Sequence, residues 1–202
     1  MLLNFKNLTI RNAAVDDAKQ LALWWNDGNV MAHAGFPNGT GQTAEDIALS
    51  LKGDNDYTHR RLIIELDQIA VGETNYRNKG EDTAEIGIKI CDFSLHDKGL
   101  GRVLLSMLIS SLFNDLGYRR IILDTNVNNK RAQHVYEKLG FRKLQVRENS
   151  WKNSLGELQS SVDYELYQDN FVNYAKWAAS DNHGCKTWVY VLLRGEIIWK
   201  NL

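Results

Sequence analysis

The chain has 202 residues, 44% apolar and 24% charged, with 24 Lys and Arg against 25 Asp and Glu for a net charge of −1. That is enough apolar side chain for one domain with a real core; it excludes a disordered chain and leaves no basic footprint for sequence-independent nucleic-acid binding. Two cysteines exclude a disulfide scaffold and point to a reducing, cytoplasmic setting, no apolar run approaches the roughly 20 residues of a membrane span, and the opening MLLNFKNLTIRN lacks the apolar stretch of a signal peptide.

In chain order, residues 8–11 alternate as a first strand, and 14–27 carry Val15, Ala18, Leu21, Ala22 and Trp25 at helical spacing. Residues 28–41 read as a loop punctuated by Gly and Pro37, and 43–51 as a short helix with Thr43 at its start. Residues 62–66 and 69–76 form a hairpin around Asp67-Gln68, a turn pair without glycine. In 83–91, Ala84, Ile86, Ile88 and Ile90 face one way and Glu85, Gly87, Lys89 and Cys91 the other. Helices follow at 99–117 and 129–139, with a strand at 120–125 between them and strands at 141–146 and 161–167 after. The order predicts an α/β (α+β) domain around one mixed sheet, over residues 1–168. The extension, 169–202, predicts a weak helix at 169–179, a loop at 180–184 and an apolar hairpin, 187–193 with 196–199, around Arg194-Gly195. A lone hairpin is marginal in water, so it calls for a surface to cover: a domain edge or a second subunit in a homodimer.

Chemistry concentrates in two segments. His96-Asp97-Lys98-Gly99-Leu100-Gly101-Arg102 lies where a strand passes into a helix. Two glycines there expose backbone N–H groups at a helix N-terminus, an anion site with Lys98 and Arg102 beside it. A Walker loop would need Gly-Lys-Ser/Thr, and a dinucleotide fingerprint a third glycine where Leu104 stands, so both fail. In the second segment, NNKRAQHVYEKLGF, Tyr136 lies one turn after Ala132 and two after Asn129. It is either a proton donor to a departing thiolate or a core aromatic with a wet hydroxyl. The five histidines show no metal-ligand spacing, so no metal site is expected. Cys91 reads as a plain strand cysteine.

Together these segments resemble the GNAT superfamily of acetyl-CoA-dependent N-acetyltransferases. Residues 96–101 occupy the position of its R/Q-x-x-G-x-G/A loop. Asn129, Ala132, Tyr136 and Glu137-Lys138-Leu139-Gly140-Phe141 match its N-x-x-A-x-x-x-Y-E-K-L-G-F segment, and Ala84-Glu85-Ile86-Gly87 its A-E-I-G strand. The likeness runs over residues 8–167, toward the ribosomal-protein-alanine-acetyltransferase-like branch; His96 departs from the usual Arg or Gln. It implies a mostly antiparallel sheet flanked by helices on both faces. It also implies acetyl-CoA as cofactor, its pantetheine arm along Ile88, Ile90 and Cys91 and its pyrophosphate on the 97–102 amides, with His96 and Asn129 nearby. The acceptor is then a small-molecule amine or a protein N-terminal amine, with the first helix and the loop to Gly41 shaping its pocket. An amine of pKa about 10.4 must lose a proton before it attacks. Glu85 is the expected base, Glu73 or a water chain the other choices, and Tyr136 the acid. The competing functions are a catalytically idle CoA-binding module and an unrelated α/β binding protein with an accidental GxG; Tyr136 beside a carboxylate favours the enzyme.

Overall fold

The computed structural model describes residues 1–177, 188–193 and 196–201, with side chains through Ala175. Eight strands make one sheet: β1 (Leu2–Phe5), β2 (Leu8–Asn12), β3 (His59–Leu66), β4 (Ile69–Asn78), β5 (Thr83–Ile90), β6 (Arg120–Asn126), β7 (Arg142–Lys152) and β8 (Leu158–Tyr167), in spatial order 1-2-3-4-5-6-8-7. Neighbours run antiparallel except β5 and β6, which are parallel and pair only where Thr83, Ala84 and Glu85 meet Arg120, Ile121 and Ile122. Parallel neighbours need a crossover, and the long helix α4, described below, supplies it.

Alternation decides which side each strand residue serves. Leu62, Ile64, Tyr76, Ala84 and Ile86 share one core with Leu104, Leu108 and Leu112. Ile63 turns the other way, into a smaller cluster with Ala18, Leu21, Ile47 and Leu51. The second face is covered by α1 (Ala18–Trp25) and α3 (Ala44–Leu51); Thr43 and Asp46 form the capping box that starts α3. The first face is covered by α4 (Leu100–Asn114) and α5 (Lys130–Lys138), which contributes Tyr136 and is followed by the buried Leu139. Helices on both faces of a mostly antiparallel sheet is the architecture expected.

Differences from the sequence reading are local. A first strand, β1, precedes the expected one and pairs with β2 around Lys6, which has a φ of 55°. The Asp67-Gln68 turn has φ of 52° and 66°, the sign a I′ hairpin needs; Asn7 Nδ2 donates to both Asp67 carboxylate oxygens at 3.1 Å, which anchors this glycine-free turn. Residues 28–41 are not a plain loop: α2 (Gly28–Met31) begins on an Asp27 cap and runs into a 3-10 turn, Ala32–Ala34. Four helical residues are too few to show a period.

The extension begins by docking on the domain. The Tyr174 amide donates to Ser106 Oγ at 2.9 Å, Asn173 Nδ2 donates to Ser110 Oγ at 2.8 Å, and the Arg102 guanidinium lies over the Tyr174 ring. In place of the weak helix expected at 169–179, the described residues form a 3-10 turn, Gln168–Asn170, and α6 (Tyr174–Trp177), with 178–179 outside them. β9 (Trp188–Leu193) and β10 (Glu196–Asn201) pair antiparallel. The loop at 180–184, the Arg194-Gly195 turn and the packing of the hairpin side chains lie outside the described residues. Among the described residues no helix is long and apolar enough to cross a membrane.

Candidate active site

Beyond Glu85, β5 and β6 part, and the β6-facing backbone edge from Ile86 to Ile90 lines a cleft of about 980 Å³ instead of a strand. The other walls are the residues after β5, the stretch from Asp124 to Asn126 on β6, and the start of α5. His96 ties two of these walls together. Arg131 Nη1 lies 2.7 Å from His96 Nδ1, and His96 Nε2 lies 2.8 Å from the Ile90 carbonyl. A guanidinium can only donate, so Nδ1 accepts and the Nε2–H donates to Ile90.

The entry to α4 is a sharp turn onto a helix N-terminus. Asp97 and Gly99 both take positive φ, 59° and 78°, so the chain turns sharply and α4 opens at Leu100 with Gly99 as a left-handed cap. The first amides of a helix lack partners within it and carry its positive dipole end. Gly101 is informative in a different way. Its φ is ordinary, and a Cβ there would meet only Ile90 Cδ1, at 3.8 Å. Nothing in the fold demands glycine at 101; a larger side chain would occupy the cleft.

Most expected cofactor contacts converge: Ile88, Ile90, His96, Asp97, Gly99, Leu100, Gly101, Asn129 and Tyr136 all line the cleft. Asn129 also caps α5, accepting the Ala132 amide at 3.2 Å. Cys91, Lys98 and Arg102 are outside the lining. Cys91 is buried; its amide donates to Val71, and burial, with the charge of Glu73, pushes its thiol up to about 12, so it is no nucleophile. Among the described residues no cluster of His, Cys, Asp and Glu is arranged to hold a metal.

The carboxylates separate by environment. Glu73, 3% exposed, accepts from Trp25 Nε1 and from Lys89 Nζ, both at 2.8 Å. Glu85 sits beside the cleft but not in its lining, its carboxylate 3.6 Å from Lys79 Nζ. Asp124, which sequence reasoning did not single out, does line it. Burial raises the Asp124 carboxyl, Arg147 draws it down, Asp163 and Glu85 raise it again, and the balance is upward. Tyr136, 7% exposed, packs against Tyr164 and Phe141 at ring distances of 5.7 and 5.8 Å. Burial first, then the charge of Asp124, holds its hydroxyl protonated well above the usual tyrosine range. The core and catalytic readings of Tyr136 are therefore compatible: the ring belongs to the core and the residue borders the cleft. The available signal for Asp124 was the one acidic residue of the 120–125 strand, just before the helix that carries Tyr136.

The far end of the cleft is walled by Asn29, Val30, His33 and Ala34, and by Trp151 near the tip of the β7–β8 hairpin. That hairpin is laid on the 3-10 turn: Ser154 N donates to the Gly35 carbonyl at 2.8 Å, and a Cβ on Gly35 would stand 2.4 Å from the Trp151 ring. Trp24 and Trp25 instead pack on the second core cluster.

The family profile described as an acetyltransferase (GNAT) domain matches residues 7–142. It is the profile of the family at large and does not distinguish the ribosomal-protein-alanine branch. Among solved structures, the spermidine N-acetyltransferase of Vibrio cholerae, in complex with CoA and spermine, superposes with a TM-score of 0.72 at 24% identity, over 81% of this chain and 97% of that one. A GNAT-family acetyltransferase from Bacillus anthracis superposes with a TM-score of 0.70 at 20% identity, over 84% and 99%. An uncharacterized protein of Methanocaldococcus jannaschii is 38% identical over 82 residues, 40% of this chain, and the match spans 17% of that relative's length.

Proposed function

The chain belongs to the GNAT family of acetyltransferases, and from that premise we propose that it moves an acetyl group from acetyl-CoA to a primary amine by direct attack in a ternary complex. The observation that carries this reading is one continuous cleft bordered by an unpaired strand edge, a helix N-terminus beside Gly101, a protonated tyrosine and a carboxylate. The strand edge from Ile86 to Ile90 suits the amide groups of a pantetheine arm. The α4 entry and the cleft-lining Lys130 and Arg131 suit phosphates. Acetyl-CoA supplies the thioester; the chain supplies position and proton traffic.

Asp124 takes the proton that the ammonium must lose, with Glu85, the expected base, behind it as the second carboxylate. Its carboxylate is about half exposed at the cleft, open to a substrate, and the upward direction of its proton affinity suits that task. Glu73 is already occupied by Lys89 and Trp25. Tyr136 gives a proton to the departing sulfur, and burial keeps that proton in place until then. The acceptor is a small amine: the solved spermidine enzymes supply the class, and the hairpin laid across the far end favours a small molecule over a protein N-terminus. A panel of monoamines, amino acids, aminoglycosides and polyamines with acetyl-CoA, read by free-thiol release, tests this. Tight CoA binding with no thiol release for any amine would leave the idle-module reading instead.

A further inference from the structure

We propose that Arg147, anchored on Asp163, is the positioning residue for Asp124, fixing the direction of its carboxylate and the pH range over which it accepts a proton from the acceptor. The inference rests on the reading of Asp124 as the base. Its origin is strand register. Asp124 on β6 stands directly opposite Asp163 on β8, and two like charges in that relation repel. Arg147 on β7 is in register with Ser161, two residues along β8 from Asp163, so its side chain reaches the same face and enters between the two carboxylates.

The bonds are unequal. Asp163 Oδ1 accepts from Arg147 Nε at 3.0 Å and Nη2 at 2.8 Å, while its Oδ2 accepts from Gln145 Nε2 at 2.9 Å. Both oxygens of the anchor are engaged. Asp124 receives a single contact, Nη2 to Oδ2 at 3.4 Å, which leaves oxygen lone pairs for a ligand. Arg147 and Asp124 line the cleft; Asp163 does not. The planar fork of arginine makes this division of labour possible, because one edge fixed on the anchor sets where the other points.

The charges facing Asp124 from every neighbouring element are few. Arg147 comes from β7, Asp163 from β8 and Glu85 from β5; Tyr136 comes from α5, and His33, on the 3-10 turn packed against β6, lines the same cleft. Lys89, further along β5, is neutralised by Glu73. Among the described residues, Arg147 is thus the cation whose charge acts on Asp124, against two carboxylates. Without it, Asp124 holds its proton to higher pH and the acidic limb of kcat/KM moves upward.

The experiment compares the wild-type chain with Arg147→Gln, Arg147→Lys and Asp124→Asn, using acetyl-CoA and the best amine of the panel. Readouts are kcat/KM against pH, thermal melting, and CoA affinity by calorimetry. Arg147 is about half exposed, so melting and CoA affinity should stay near wild type in its variants. Arg147→Gln should move the acidic limb up by about one pH unit, about a tenfold loss of kcat/KM below it. Arg147→Lys, keeping the charge without the fork, should leave the limb in place and lower the plateau. An unmoved limb in Arg147→Gln, with Asp124→Asn nearly inactive, would overturn the positioning role alone. Full activity in Asp124→Asn would overturn the reading of Asp124 on which it stands.

Discussion

On the β4–β5 side of the cleft, Glu73 lies between Trp25 and Lys89 with both partners at 2.8 Å. On the β6–β8 side, Asp124 faces the cleft with one contact, 3.4 Å from Arg147. Asp124 is on β6, at the parting from β5, and Glu73 is on β4, one strand further along the same sheet, but it is their partners more than their strands that set them apart. A carboxylate whose charge and lone pairs are already matched contributes to the fold and has little left to offer a substrate. A carboxylate left partly unmatched costs stability and keeps a proton affinity that chemistry can use.

The strongest way to break this contrast is to remove the two groups proposed to handle protons on the β6–α5 side. Tyr136→Phe should lower turnover by about 10²-fold or more with CoA affinity and melting temperature retained, as measured by thiol release, calorimetry and thermal denaturation. Asp124→Asn should cost about as much in turnover, and its stability effect has a definite sign. A carboxyl whose folded pKa lies above the unfolded value of about 3.9 loses stability for the fold as pH rises through that interval. At pH 7 the Asn variant should therefore melt at or slightly above wild type, with the difference vanishing toward pH 4.

Next in size is the cradle, which serves neither carboxylate. Gly101→Glu puts a side chain and a negative charge where a phosphate would bind, and should weaken CoA by about tenfold or more at an unchanged melting temperature. Calorimetric affinity equal to wild type would show that the α4 entry is not the phosphate site. The smallest effect on activity belongs to Glu73→Gln. Its cost should appear as lost stability of about 1–3 kcal/mol, from a charge-assisted bond to Lys89 weakened inside the fold. At about 2–4 °C per kcal/mol for a chain of this size, a scanning melt reads that directly, while turnover changes by only a few-fold. Loss of turnover without loss of stability would move Glu73 into the machinery and reverse the contrast.

The elements legible in the sequence were those with a sustained period. β5 alternates over eight residues, and α4 and α5 repeat at helical spacing long enough to be read, so the order of the middle of the fold followed. What was missed lacked such a signal. β1 is four residues long, α2 likewise, and β7 was cut short because register shifts after Lys143 and Arg147, with Asn149 at a φ of 49°, interrupt its alternation. The same logic divides the site. The sharp entry to α4 was readable because Gly99 and Gly101 are only two residues apart in the chain. The carboxylate at the cleft was not: Asp124, Arg147 and Asp163 come from three strands, and only their register makes them neighbours.

Gly35 takes a φ of +94° and lies flat against the Trp151 ring, while its carbonyl holds the Ser154 amide. The far wall is thus assembled by the fold itself rather than recruited by an arriving molecule. For an acceptor bound there as proposed, little binding free energy is then spent on ordering that wall. The same rigidity limits how the pocket can diverge. Its dimensions change by replacing Val30, His33 or Trp151, one side chain at a time, because position 35 tolerates no side chain that would let the two pieces slide.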